Sequence, residues 1–121
     1  MPAKILIIDD EELIAKVLSI RLEAAGYQTE TALDGDEGLE KVKSFSPDLA
    51  IIDIGLPKID GNTICEVIKS SEKTKKIKVI MLTGRKMVAD LEKAFGSGAD
   101  AYVQKPYEWE RLLEKIKKLG F

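Results

Sequence analysis

Short apolar runs alternate with longer amphipathic stretches along the whole chain. The apolar runs predict strands at about 4–8, 27–32, 48–53, 77–82 and 101–104. Between them, apolar residues recur at helical spacings, which predicts helices near 35–44, 62–70, 86–97 and 107–119 and one more between the first two strands. Strands that alternate with helices are typical of repeated βα units built around a parallel sheet.

The apolar stripes of these helices are expected to face the core. The first helix carries Ile14, Val17, Leu18, Leu22 and Ala25, and Gly26 follows where a helix end favours a left-handed residue. The last two helices carry Met87, Leu91, Ala94 and Phe95, and then Trp109, Leu112, Leu113, Ile116 and Leu119.

Residue composition separates the inner strands from an edge strand. The first and third predicted strands are continuous Ile, Leu and Ala runs, as in strands covered on both faces, whereas Gln28 to Thr31 is polar and suits an edge. Right-handed crossovers then give a doubly wound α/β sheet in the order 2-1-3-4-5. Ligands of such sheets bind where the winding reverses, here beyond the ends of the first and third strands.

Composition narrows the class of protein further. A chain of 121 residues with 45% hydrophobic residues fits one domain spanning 1–121, and no apolar run approaches the roughly 18 residues that span a bilayer. The N-terminus lacks the long apolar stretch of a secretory signal, so we expect a cytoplasmic protein without membrane contact. A net charge of −2 argues against direct binding of nucleic acid. Histidine is absent, so this chain cannot itself supply a phosphohistidine or a histidine-ligated zinc site.

Two smaller features are expected to be structural. Cys65 lies among Ile64, Val67 and Ile68 and is predicted to be a packed core thiol. Five lysines lie within ten positions and are predicted to form a solvated loop: Lys69, Lys73, Lys75, Lys76 and Lys78.

Charged side chains follow three of the apolar runs. Asp9 and Asp10 follow the first, Asp53 ends the third and Lys105 follows the fifth. In the predicted sheet these groups meet at one edge, where the mutual repulsion of the carboxylates is relieved by a hard, oxygen-binding cation such as Mg²⁺. Asp9 and Asp10 alone could instead cap the first helix.

The same edge permits phosphoryl transfer. The first turn is acidic and no glycine-rich phosphate loop follows any strand, so phosphate could approach only through a bridging cation. A carboxylate nucleophile at Asp53, a lysine at Lys105 and a hydroxyl at Thr83 then make a minimal phosphoryl-transfer set. Lys105 and Thr83 could also be ordinary residues at strand ends.

Taken together, the motifs closely resemble those of the receiver domains of two-component response regulators, over essentially the whole chain. They are the pair Asp9-Asp10, the segment from Asp53 to Gly61 with sequence DIGLPKIDG, the pair Thr83-Gly84, and Gly98-Ala99-Asp100 leading to Lys105-Pro106. The resemblance implies a flavodoxin-like (βα)5 three-layer sandwich. It also implies that Asp53 accepts the phosphoryl group, that Asp10, Asp53 and the Gly55 carbonyl bind Mg²⁺ directly and Asp9 largely through water, and that Lys105 and Thr83 contact phosphoryl oxygens.

The resemblance further implies a switch. Thr83 would move toward the acyl phosphate and Tyr102 would turn inward, which changes a face made by the fourth helix, the fifth strand and the fifth helix. Judged by spacing alone, Tyr102 could equally be a half-buried aromatic residue without such a role. Pro106 is expected to follow a cis peptide bond.

Three positions beside the predicted phosphoryl site are variable in the family or differ from its usual residue. Gly55 offers no side chain there, Arg85 offers a long cation that could pair with the phosphoryl group or face solvent, and Gly84 stands where the family commonly has alanine. The hydrolysis rate is therefore not predicted.

Three hypotheses about function follow. The favoured one is a phosphorylated signalling switch, not a turnover enzyme, that receives its phosphoryl group from a histidine kinase or histidine phosphotransfer protein. It would control a downstream partner or a C-terminal output domain, with homodimerisation through the switch face as an option. The second is an adaptor or dimerisation receiver that is never phosphorylated. The third is a Mg²⁺-dependent phosphatase with an aspartyl nucleophile, although its two acids after the first strand would usually be two residues apart.

Overall fold

A computed structural model describes residues 2–84 and 98–121 of the chain. The strands are β1 Lys4–Ile8, β2 Gln28–Ala32, β3 Leu49–Asp53, β4 Lys78–Thr83 and β5 Ala101–Gln104. The helices are α1 Glu12–Ala24, α2 Gly35–Phe45, α3 Gly61–Ser70 and α4 Trp109–Lys118. The helix predicted near 86–97 and its apolar stripe lie outside the described residues, as does Arg85.

The five strands form one parallel sheet in the order β2-β1-β3-β4-β5, which confirms the predicted topology. β1 and β3 are central neighbours, with Ile8 opposite Ile52. The polar strand β2 lies at the edge, as its sequence predicts. The doubly wound α/β sandwich therefore places the ends of β1 and β3 side by side.

The core lies on both faces of the sheet because the side chains of each strand alternate between faces. Leu6, Ile8, Ala50, Ile52 and Met81 belong to one buried cluster, together with α3 residues. Ile5, Ile7, Leu49, Ile51 and Leu82 belong to the other, together with α1 and α4 residues. Cys65 is buried in the first cluster, as predicted.

Three residues of the predicted stripe are exposed, and one of them is Ala25, which caps the end of α1. Ile14 is 37% exposed and Val17 46%, whereas Ala15, Leu18 and Leu22 are buried. The helix has more apolar residues than one face can bury, since Leu13 and Ile20 are also exposed. Sequence periodicity found the helix and two of its buried residues, Leu18 and Leu22, but it also assigned exposed positions to the core face.

The lysine cluster is a solvated loop only in part. Lys73, Lys75 and Lys76 are exposed, but Lys69 lies on α3 with only 20% of its side chain exposed. Its Nζ is 2.8 Å from Asp100 Oδ2 and donates to the Ile77 carbonyl at 2.7 Å. Lys69 therefore joins α3 to the beginnings of β4 and β5.

Element ends differ from the predicted ones by one or two residues, and Thr83 is the last residue of β4 rather than the first residue after it. Gly26 has φ 99°, the left-handed backbone predicted beyond the end of α1. Among residues 2–84 and 98–121, no helix combines the length and apolar character that crossing a membrane requires.

Candidate functional site

Four charged side chains converge at the carboxyl edge of the sheet. Carboxylate oxygens of Asp9, Asp10 and Asp53 lie within 4.8 Å of one another. Lys105 Nζ lies 3.1 Å from Asp53 Oδ2 and 3.5 Å from Asp9 Oδ2. The backbone N–H of Gly55 donates to Asp53 Oδ1 at 3.1 Å, so both oxygens of this carboxylate have a donor. The topology thus brings together residues that are up to 96 positions apart in the chain, from Asp9 to Lys105.

Asp9 is the buried member of the cluster, with 1% exposure. Its Oδ1 accepts from the Glu11 N–H at 2.9 Å, and its own N–H donates to the Ala32 carbonyl at 3.0 Å. The capping residue of α1 is Glu11, which makes no side-chain cap. Neither Asp9 nor Asp10 is therefore the helix N-cap, and that alternative is wrong.

Burial and the nearest opposite charge have opposite effects on the pKa values of Asp9 and Lys105. Burial raises the pKa of Asp9; the Glu11 N–H and Lys105 lower it less, and Asp53 and Asp10 raise it further. Burial alone would lower the pKa of Lys105, but the charges of Asp53 and Asp9 raise it overall. The ammonium group is therefore held in its charged form, and within residues 2–84 and 98–121 the ion pairs set this one cation against a cluster of three carboxyl groups. Oxygen donors with an excess of negative charge fit a hard divalent cation such as Mg²⁺.

Thr83 and Tyr102 lie on the same face of neighbouring strands. Tyr102 is opposite Met81 and Gln104 is opposite Thr83, so the side chains at 81, 83 and 102 share a face. Thr83 is 1% exposed, and Tyr102 is partly buried against the cluster that contains Met81. Burial raises the pKa of the Tyr102 phenol. Met81 lies two residues before Thr83 on β4 and opposite Tyr102 on β5, so it lies between the two positions on this sheet face.

The turn after β5 closes the rim. The Lys105 N–H donates to the Thr83 carbonyl at 2.6 Å, and the Lys105-Pro106 peptide is cis, as expected. Gly84 directly follows Thr83 at the end of β4. The hydrogen bond holds the backbone of Lys105 against the neighbouring strand β4.

Gly61 supports the back of the site, although its sequence pattern predicted no role for it. A β-carbon on this residue would lie 2.6 Å from the Asp53 carbonyl oxygen and 2.8 Å from the Ile54 α-carbon. Only glycine lets α3 begin this close to the end of β3. The signal was its position in the DIGLPKIDG segment, where a glycine directly precedes a helical pattern.

An apolar groove beside the acidic edge was also missed. It has a volume of about 310 Å³ and its lining includes Leu13, Ile14 and Val17 from α1. Tyr107 and Trp109, which follow the Lys105-Pro106 turn, line the other side. The groove therefore runs between the two segments that carry Asp10 and Lys105. The surplus of apolar residues along α1 could have revealed it.

Comparison with known proteins identifies the family. A response regulator receiver domain model matches residues 5–117. The transcriptional regulator RpaA of Synechocystis is 41% identical over 116 residues, which cover 96% of this chain and 48% of that protein. PhoB, the phosphate regulon regulator of Rhizobium meliloti, is 34% identical over 119 residues, which cover 98% and 52%. A CheY-like receiver domain structure from Methanospirillum hungatei superposes with a TM-score of 0.91 at 35% identity, covering 98% of this chain and 94% of that one.

The chain belongs to the response regulator receiver domain family. It spans about half the length of the curated relatives it matches. Receiver domains are the phosphorylation-controlled modules of two-component signalling.

Proposed function

We propose that this chain is a phosphorylation-activated receiver whose phosphoacceptor is Asp53. The observation that carries the proposal is the convergence of three carboxylates within 4.8 Å of one another, with the Lys105 ammonium 3.1 Å from Asp53. A partly buried carboxylate at a strand end, with a cation beside it, suits nucleophilic attack on a phosphoryl group. An adaptor that is never phosphorylated would not need this set.

The residues fit Mg²⁺. Asp9, Asp10 and Asp53 offer carboxylate oxygens on one edge, and the Gly55 carbonyl follows Asp53 closely in sequence. When bound, the cation would neutralise the carboxylates and the incoming phosphoryl oxygens. The Asp9 to Glu11 hydrogen bond and the Lys105 ion pairs orient three of the four charged groups, Asp9, Asp53 and Lys105, before anything binds.

The reaction transfers one phosphoryl group. An Asp53 carboxylate oxygen forms a bond to phosphorus while the bond from phosphorus to a donor imidazole nitrogen breaks. The imidazole leaves with the bonding electron pair and takes a proton from solvent. Lys105 offsets charge on the phosphoryl oxygens, and the Thr83 hydroxyl donates to one of them.

The chain has no histidine of its own, so the phosphoryl donor is another protein or segment. Membership of the response regulator receiver domain family supports a histidine kinase or a histidine phosphotransfer protein in that role. The exposed apolar groove between Leu13, Ile14, Tyr107 and Trp109 borders the acidic edge and suits a helix that presents a phosphohistidine to Asp53. Exposed apolar surface of this kind is typical of a protein interface.

Phosphorylation would then change the face that carries Tyr102. Thr83 moves toward the phosphoryl group, and Tyr102 fills the space along the shared sheet face. The output surface consists of the predicted helix at 86–97, β5 and α4. It acts on a partner, on an output domain outside this sequence or on a second copy of the chain, in a cytoplasmic signalling pathway.

Intact-mass analysis tests the proposal. The wild type, incubated with Mg²⁺ and acetyl phosphate, is expected to gain one phosphoryl group of about 80 Da. Asp53→Asn and a chelated, metal-free sample should gain none. A wild type without an adduct at high donor concentration and short times would favour the phosphorylation-independent adaptor instead.

A further inference from the structure

The loop between Asp53 and α3 contains a strained residue. Lys58 has φ 66°, and the Ile59 N–H donates to the Pro57 carbonyl at 2.8 Å. A hydrogen bond that spans one residue of positive φ is a γ-turn of the rare, strained kind. Lysine carries a β-carbon that this backbone region disfavours. Because Lys58 is 65% exposed at its side chain, burial of that side chain does not hold the turn.

The next residue is pressed against the first turn of α2. A β-carbon on Gly35 would lie 2.7 Å from the Ile59 β-carbon and 3.1 Å from the Ile59 carbonyl oxygen. Lys58 Nζ also lies 3.8 Å from Asp34 Oδ2, and Asp34 caps α2 by accepting from the Glu37 N–H at 2.8 Å. Contact with α2 therefore supports the turn from outside the loop.

The other parts of the loop are tied to the phosphoacceptor. The Gly61 N–H donates to the Ile54 carbonyl at 3.2 Å, and Gly61 packs on the Asp53 carbonyl without room for a β-carbon. The Gly55 N–H holds Asp53 Oδ1 at 3.1 Å. Because these contacts hold both ends of the loop, we expect a displacement of Ile59 to move Asp53 and Gly55 as well.

We propose that the first turn of α2 is a positioning element for the phosphoacceptor. The close contact of Gly35 with Ile59 maintains the γ-turn at Lys58, and that turn fixes the Asp53 carboxylate and the Gly55 backbone. This inference rests on the proposed phosphorylation of Asp53 and deepens it by assigning residues that do not touch the reacting atoms. Reaction rates are sensitive to such positioning, since a shift of about 1 Å can cost on the order of a hundredfold.

Two alanine substitutions on the same helix test the proposal. Gly35→Ala pushes a β-carbon into the backbone and β-carbon of Ile59, while Gly38→Ala meets the far end of the Ile8 side chain at 2.6 Å instead. Both should lower stability in urea. Only Gly35→Ala should slow phosphorylation by acetyl phosphate, by about tenfold or more, and weaken Mg²⁺ binding measured by calorimetry without any phosphodonor.

A second pair of variants tests the turn itself and remains informative if Gly35→Ala does not fold. Lys58→Gly permits positive φ without strain and should phosphorylate like the wild type. Lys58→Val, whose branched side chain disfavours this conformation, should phosphorylate more slowly and bind Mg²⁺ more weakly. A purely electrostatic role of the Lys58 to Asp34 pair would instead make the two variants equally slow and overturn the proposal.

The outcomes separate this inference from the function on which it rests. A wild type that gains no phosphoryl group defeats the proposed function. A phosphorylated wild type, with Gly35→Ala equal to Gly38→Ala in rate and Mg²⁺ affinity, defeats only the positioning role of α2. That role is likewise defeated if Lys58→Val matches Lys58→Gly in both measurements.

Discussion

Replacing Asp9 by asparagine should stabilise the metal-free protein while impairing its chemistry. Asp9 is 1% exposed and shares the edge with two other carboxyl groups, so its charge is held in place against repulsion. Asparagine has nearly the same shape, and its oxygen can still accept from the Glu11 N–H, which is 2.9 Å from Asp9 Oδ1. The substitution therefore removes charge with little change in packing.

The magnitude follows from the distances. At an effective dielectric constant of about 20, two like charges at 4.8 Å, the upper limit of separation in this cluster, repel by about 3.5 kcal/mol, and the Asp9 and Lys105 charges at 3.5 Å attract by about 4.7 kcal/mol. Two repulsions on Asp9 thus exceed its attraction to Lys105 by roughly 2 kcal/mol. Water around the exposed Asp10 lowers this difference and burial of Asp9 raises it, so we expect a gain of about 1–2 kcal/mol.

Thermal and urea unfolding in chelator measure the effect. For a domain of this size the gain corresponds to a rise in Tm of about 3–10 °C for Asp9→Asn. Added Mg²⁺ should stabilise the wild type more than the variant, because a ligand stabilises the state that binds it. A metal-free Asp9→Asn protein that unfolds more easily than the wild type would refute the electrostatic reasoning.

The pH dependence of unfolding tests independently whether the charge of Asp9 destabilises the metal-free fold. The pKa of Asp9 is raised above its usual 3.8 in the folded chain, so this group favours folding at low pH. Its contribution is lost as pH rises from the usual pKa through the raised one. The stability advantage of Asp9→Asn should therefore grow across that window and then level off. The Lys105 pKa is raised above 10.5, so the stability that the lysine contributes is fully present at neutral pH and is lost as the pH rises from 10.5 through the raised value.

Other substitutions probe the remaining parts of the site. Lys105→Met should lower metal-free stability by about 1–3 kcal/mol in urea, since it leaves Asp9 and Asp53 without their cation; unchanged stability would contradict the ion pairs. Gly61→Ala should cost about 1–3 kcal/mol and slow phosphorylation, because its β-carbon overlaps the Asp53 carbonyl; a fully active variant would show that α3 can move away freely. Leu13→Asp should lower the ratio of the phosphorylation rate with a phosphohistidine protein to the rate with acetyl phosphate by about tenfold; an unchanged ratio would exclude the groove as the donor contact.

Much of the fold could be predicted because the strands differ in composition. The continuous apolar runs of β1 and β3 and the polar β2 indicate which strands are central, and right-handed crossovers then allow the order that the structure shows. The site residues follow from the same order, since Asp9, Asp53 and Lys105 all end up at the carboxyl edge.

Other features depended on tertiary contacts that periodicity does not report. The buried stripe of α1 is set by how the helix rotates against the sheet, so Ile14 and Val17 were assigned to the wrong side. Lys69 is partly buried because it forms an ion pair with Asp100, which is distant in sequence. The contact of Gly35 with Ile59 joins the first turn of α2 to the loop after β3, and no local pattern predicts it.

The identity of the phosphoacceptor is tested most directly by locating the phosphoryl group chemically. Borohydride reduces an aspartyl phosphate to homoserine, so peptide mapping of the Mg²⁺- and acetyl phosphate-treated protein identifies the modified residue. We predict homoserine at position 53 in the wild type, and none in Asp53→Asn or after chelation. Homoserine at another aspartate, or none in a wild type that carries a stable adduct, would contradict the assignment of Asp53 as the phosphoacceptor.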